Sequence, residues 1–266
     1  MKTVAITGAT GNLGWKFVQH MASHADVASV IGLDLDELSS DQLAQLSADQ
    51  ADKCEFIACD LLDWHDRRWR EAIKRSDAVV HFAAQNPFPE ASWDDANRSL
   101  DMTLNAALAS VDAGVSRFVF VSSNHVMGRY KDAPLADTIG PGELTTSLEH
   151  AVGTVWQIGE RAMDSTPYAV AKSSGERLCQ ALATRAEGRT TFVSVRIGWC
   201  QPGRMCLQHS QLLAHRRRRS GSTATQTSSG PITGFGTCGC PIGTLPGCLS
   251  VRSLLKPRHG QLRTSL

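Results

Sequence analysis

Tyr168 and Lys172 stand four residues apart in Tyr-Ala-Val-Ala-Lys, at the start of an apparent helix. That spacing puts both side chains on one helical face, about a turn apart. An ammonium fixed beside a phenol favours the phenolate, so the tyrosine can take a proton nearer neutrality than its free value of about 10 allows. The chemistry on offer is that of a general base for an alcohol. Taken alone, the pair is also an ordinary spacing on a helix surface. Its weight comes from a glycine-rich stretch upstream at residues 7–14 and a Ser122-Ser123 pair that closes an apolar run.

In Thr7-Gly8-Ala9-Thr10-Gly11-Asn12-Leu13-Gly14 the glycines follow a predicted strand and open a predicted helix. Glycines permit a tight turn and let backbone N–H groups approach a pyrophosphate, which the positive end of a helix attracts. A purely structural turn is the alternative. Asp34 ends the next strand, where a carboxylate can accept from adenosine ribose hydroxyls and repel a 2′-phosphate. With no arginine beside it, NAD is favoured over NADP; a solvated turn aspartate is the bland counterpart. Asp60, followed by Leu61, ends a third strand and is placed either to contact adenine or to cap a helix. His81-Phe82-Ala83-Ala84 closes a fourth, where small residues would let a cofactor lie against the strand end and His81 reads as a core histidine.

The elements that must position these groups alternate. Predicted strands Lys2–Thr7, Val27–Leu33, Cys54–Cys59, Ala78–Phe82, Arg117–Val121 and Thr191–Arg196 are rich in Val, Ile and Phe. Between them lie predicted helices Asn12–Ala22, a polar stretch to about residue 52, Trp64–Arg75, Asp94–Ala113 and Pro167–Thr184. Buried apolar strands that each feed a helix imply an α/β fold with a parallel, doubly wound sheet. Residues 131–166 read as a long connection capping the site. Asn105 reads as a helix-packing residue, and Asn97 or Ser99 as candidates to line the cofactor groove.

Of the 266 residues, 42% are hydrophobic and 20% charged, with a net charge of +1, which gives no reason to expect nucleic acid or a membrane as partner. The first residues lack a signal-peptide core, and the cysteines of the first 200 residues have neither disulfide nor metal spacing, so a reduced cytoplasm and no metal are expected. These averages hide a break. All 26 acidic residues lie at or before Glu187. From Arg204 onward there is no Trp or Tyr, and the run Arg216-Arg217-Arg218-Arg219 is followed by scattered Gly, Pro and Cys. Residues 1–203 therefore read as a domain, and 204–266 as an atypical basic tail.

The order of the glycine loop, Asp34, Asp60, the His-Phe-Ala-Ala strand end, Ser123 and the Tyr168/Lys172 pair resembles the extended short-chain dehydrogenase/reductase superfamily, the NAD-dependent epimerase/dehydratase family. Within it, Ser122-Ser123-Asn124-His125-Val126-Met127-Gly128 with Val195-Arg196-Ile197-Gly198-x-Cys200 is similar to uronate dehydrogenases. The resemblance implies a Rossmann-type sheet, and oxidation of a hexuronic acid or related polyol with NAD. It implies Ser123, Tyr168 and Lys172 as catalytic residues. Gly8, Thr10, Gly11, Asn12, Leu13, Gly14, Asp34, Asp60, Leu61, Ala83, Ala84, Tyr168 and Lys172 would hold the cofactor. Ser123, Asn124, His125 and Arg196 would hold the substrate, Arg196 by clamping its carboxylate with a planar fork; a structural arginine at a strand end is the rival. Homodimers are common in this family. The connection from Tyr130 to Tyr168 is longer than in the uronate enzymes, and Trp199 stands where they carry a small residue. The region beyond Gly203 resembles nothing in the family, so a small, incomplete substrate region is expected there, through a frameshift near residue 204 or as a natural basic tail. A nucleotide-sugar epimerase or dehydratase, and a non-catalytic or truncated NAD-binding protein, are the competing functions.

Overall fold

The computed structural model describes residues 1–85, 91–140, 142–198 and 263–265. Strands β1 (Lys2–Thr7), β2 (Val27–Asp34), β3 (Cys54–Ala58), β4 (Ala78–His81), β5 (Arg117–Ser123), β8 (Thr191–Ile197) and β9 (Arg263–Ser265) form one sheet in the order β3-β2-β1-β4-β5-β8-β9. All of its pairings are parallel. Helices α1 (Asn12–Ala22), α4 (Arg67–Lys74), α5 (Trp93–Asp112) and α6 (Thr166–Arg185) make the crossovers, and α2 (Ser40–Leu43) and α3 (Ala48–Ala51) are short. This is the doubly wound, Rossmann-type fold expected from the alternation of apolar strands and helices.

The strand pleat divides the core in two. Val4, Ile6, Val119 and Val121 face one way and pack with Trp15, Phe17, Val18 and Met21 of α1. Ala5, Phe118 and Phe120 face the other way and pack with Trp69, Met102, Ala106, Cys179 and Leu182. Burial on both faces is what a parallel sheet requires, and it explains why its strands read as apolar runs rather than alternating ones. Strand order reverses between β1 and β4, so the carboxyl ends of β1, β4 and β5 open onto the crevice where ligands bind in such sheets.

Two elements differ from expectation. The polar stretch before residue 52 is two separate four-residue helices, each opened by a capping box, at Ser39/Gln42 and Ser47/Gln50. The connection at 131–166 contains an antiparallel hairpin, β6 (Val155–Ile158) with β7 (Arg161–Asp164), which follows a 3₁₀ segment at Asn124–Lys131. Its short strands lack a strong alternating pattern. The sharp start of α6 is set by Asp164, whose carboxylate accepts from Thr166 N–H, and by Pro167 in the first turn. The boundary at residue 203 and the nature of the tail lie outside the described residues, except that Arg263–Ser265 pairs with β8. Among the described residues no helix is long and apolar enough to cross a membrane.

Candidate active site

The glycine loop turns directly off β1. Gly8 has φ +68, and a side chain there would press on the Ala83 backbone nitrogen at 2.8 Å, so the loop and the β4 end can approach this closely only through glycine. Gly11 caps α1 without any side-chain hydrogen bond, and no acid stands in the helix's first turn. Its N–H groups are therefore open to an anion. Asn12 is exposed and Leu13 half-buried, while Gly14 is buried. Ala83 N–H donates to Thr7 Oγ1 at 3.2 Å, which pins the β4 end to the loop, and Ala84 is half-buried beside it.

Asp34 ends β2 and accepts from Thr10 N–H at 2.8 Å and Thr10 Oγ1 at 2.7 Å, both through Oδ2. Loop and carboxylate are thus one unit. They border a cavity of about 260 Å³ lined also by Gly32, Asp36, Glu37, Leu38 and Phe56. Gln42 of α2 fastens this rim by donating to Thr10 O at 2.9 Å, a contact the sequence reading missed. Asp60 lies away from the cavity lining and closes a local turn onto Leu62 N–H at 2.9 Å; the cap of α4 is Asp66. Leu61 is buried in the core, its carbonyl held at 2.8 Å by Asn105, which has the packing role expected of it. Ser99 accepts from Gln85 N–H and is buried, and Asn97 is exposed.

His81 is fully buried between Thr7 Oγ1 at 2.8 Å and Thr103 Oγ1 at 3.1 Å, and stacks on Phe118 and Phe120. Burial pushes its pKa down to about 3. It is a neutral core histidine.

Ser123, Tyr168 and Lys172 are brought together. Ser123 ends β5, is 4% exposed, and lies within hydrogen-bonding reach of the Tyr168 phenol. Its Oγ also caps the following segment by accepting from His125 N–H at 3.2 Å. Gly175 lets α6 lie close against β5, since a side chain there would strike the Phe120 ring. That closeness carries Lys172 inward, where Nζ donates to Val121 O at 2.8 Å and sits 5.7 Å from the Tyr168 ring centre.

One expectation needs correction here. Burial raises the Tyr168 pKa above its ordinary value, and Ser123 only partly offsets this. Burial also lowers Lys172 to about 8. The ammonium is spent on a carbonyl rather than on the phenol, and desolvation outweighs its attraction at that distance. In this arrangement Tyr168 is a phenol.

His125 is placed beside Tyr168. Its Nδ1 lies 2.7 Å from Ser165 Oγ, its ring meets Tyr168 edge-on at 5.9 Å, and Trp156 of the hairpin lies 6.1 Å away. Burial pushes it down to about 4. Asn124 is exposed at the start of the 3₁₀ segment.

Arg196 corrects a second expectation. The planar fork meant for a substrate carboxylate is occupied: Nε and Nη2 donate to Glu176 at 2.9 and 2.8 Å, both side chains being 2% exposed. Glu176 also accepts from Ser122 Oγ at 2.6 Å. Only Nη1 is left, buried and without a partner among the described residues. Sequence reading missed Glu176, although its place four residues beyond Lys172 marked the same helical face.

A family model, the NAD dependent epimerase/dehydratase family, matches residues 4–199. The chain belongs to that family. Its members use NAD, and the loop, the uncapped start of α1 and the Asp34 cavity fit such a dinucleotide. An L-arabinose 1-dehydrogenase (NAD(P)(+)) of Haloferax volcanii is 32% identical over 200 residues, 75% of this chain and 67% of that protein. An NAD-dependent glucose-6-phosphate dehydrogenase of the same organism is 31% identical over 196 residues, 73% of this chain and 67% of that protein. Among solved structures, a mutated uronate dehydrogenase aligns with TM-score 0.57 and 22% identity, over 82% of this chain and 68% of its own. MoeE5 in complex with UDP-glucuronic acid and NAD aligns with TM-score 0.55 and 22% identity, over 79% and 60%. These structures share the fold of this family member, which is an NAD-dependent enzyme by that membership.

Proposed function

We propose that this chain oxidises a hydroxyl group of a sugar or sugar acid, the anomeric hydroxyl of a hexuronate in the sharpest form of the reading, with NAD as acceptor. The observation that carries it is Ser123, at the carboxyl end of β5, in reach of the Tyr168 phenol of α6, with Lys172 of the same helix buried against the Val121 carbonyl. Both named sequence relatives are dehydrogenases of sugars, which supports net oxidation over epimerisation.

Gly8, Gly11 and Gly14 with the first N–H groups of α1 would hold the pyrophosphate, and Asp34 the adenosine ribose. When bound, NAD supplies the hydride acceptor. Ser123 orients the reacting hydroxyl and Tyr168 removes its proton, a role that requires the phenol to ionise first. Asn124 and His125 contact sugar hydroxyls, His125 as a neutral ring held by Ser165. Arg196 contributes through Nη1 alone.

The decisive assay is NADH formation on the full chain from hexuronates, L-arabinose, glucose 6-phosphate and neutral sugars. Net NADH from an acidic sugar supports the reading; tightly held NAD turning over without net NADH supports a nucleotide-sugar epimerase or dehydratase instead. Tyr168→Phe should lower kcat by about 10²–10⁴-fold and leave NAD affinity unchanged, and equal activity would remove the assignment.

The same reading places the enzyme in the cytoplasm, as a dimer meeting through α5 and α6; a monomer mass in sedimentation would remove that contact. It takes residues 204–266 as out-of-frame sequence, on the strength of the acid-free stretch after Glu187. A search of the other reading frames beyond codon 203 for a family-like substrate region tests it.

A further inference from the structure

His150 lies in the long connection between Ser123 and Tyr168, 46 residues before Arg196, yet its Nε2 is 2.6 Å from Arg196 Nη2. Its other ring nitrogen, Nδ1, is 2.7 Å from Ser173 Oγ on α6. A guanidinium has only N–H groups to offer. The short contact therefore requires a lone pair on Nε2, so the proton sits on Nδ1 and is donated to Ser173. The ring is neutral in this arrangement.

The charged groups that face it are Glu176 and Arg177 from α6 and Arg196 from β8. Burial and the two arginines hold its pKa below the ordinary histidine value, against the pull of Glu176, whose Oε2 lies 3.3 Å from Nε2. A proton on Nε2 would break the bond from Arg196 and turn the ring towards Glu176. The guanidinium would then lose one of the three contacts that hold it, keeping the two to Glu176.

We infer that His150 is a positioning residue for substrate binding: its neutral, Nδ1-protonated ring accepts from Arg196 Nη2 and, together with Glu176, holds that guanidinium, leaving Nη1 as the donor for a carboxylate or hydroxyl of the sugar. This rests on the reading of Arg196 under Proposed function. The connection is thereby tied to the buried Arg196–Glu176 pair. Nothing in its sequence marks His150 apart from neighbouring polar residues.

Two measurements test this on the full chain. Long-range ¹H–¹⁵N spectra, with His150 assigned from the His150→Gln variant, should show the Nδ1–H tautomer at neutral pH. An Nε2–H tautomer or an imidazolium there overturns the proposal, whether or not any sugar is oxidised.

In kinetics, His150→Phe should raise KM for the sugar about tenfold, the equivalent of one charge-assisted hydrogen bond of about 1.4 kcal/mol, with kcat within about twofold. His150→Gln retains an acceptor that does not titrate. It should restore KM and remove the rise in KM expected of the native enzyme on acidification. Equal KM in native and Phe forms, or a loss confined to kcat, overturns the role. Failure of every sugar to yield NADH would instead count against the proposed function and leave the tautomer to decide the role of His150.

Discussion

The glycine loop and the Ser–Tyr–Lys centre share one edge of one sheet but are built by opposite means. The loop is held by backbone groups and half-exposed polar side chains: Thr10 to Asp34, and Gln42 to Thr10 O. Around Tyr168 the fixed groups are ionisable and almost fully buried, with Lys172 on the Val121 carbonyl and Arg196 on Glu176. The difference fits the role proposed for each half. Phosphates can be bound by N–H groups that never titrate. Moving a proton needs groups whose proton affinity is displaced, and burial is the means of displacing it.

The sharpest way to break this comparison is Arg196→Met. It strands Glu176 in the core and should cost about 3–5 kcal/mol, read as a fall in urea midpoint; adding Glu176→Leu should recover much of that loss. A loss no larger than that from Asp34→Asn would mean that the two halves are not so different.

Acid should act on the Tyr168 half next. The neutral forms of His81 and His125 are favoured in the folded state, at about 3 and about 4 against 6.5 unfolded. Their contribution is present above 6.5 and is lost as pH falls towards those folded values. Each should cost about 1.4 kcal/mol per pH unit within its window. Urea titrations of native protein and His125→Phe at several pH values below 6.5 should show the smaller slope in the variant.

On the alkaline side, the raised Tyr168 pKa predicts an oxidation kcat/KM that climbs about tenfold per pH unit from neutrality. A plateau already at neutral pH would show that the phenol ionises more easily than its burial implies.

The smallest effect belongs to the loop. Gln42→Ala removes one neutral hydrogen bond and should cost about 1 kcal/mol, weakening NAD binding in a fluorescence titration without changing kcat.

Much of the fold was legible because its signals are local. β1 and α1 have the expected bounds, since an apolar run, glycines and an amphipathic segment follow one another within a few turns. The hairpin β6–β7 was hidden because its strands have only four residues each. At the site, Tyr168/Lys172 and the loop could be read from spacing. The assignment of Arg196 to Glu176 could not, because a surface fork and a buried ion pair have the same sequence until the helix is laid on the sheet.

The sequence by itself determined the alternating elements, the glycine turn, the family and the candidacy of Ser123, Tyr168 and Lys172, since each depends on residue type and short-range spacing. Tertiary structure alone decided where the charges point. It placed Lys172 on a carbonyl, Arg196 on Glu176 and His150 on Arg196, contacts spanning 51, 20 and 46 residues. Those choices are made by burial: once water is excluded, each charge must find a partner among whichever groups the packed strands and helices bring near.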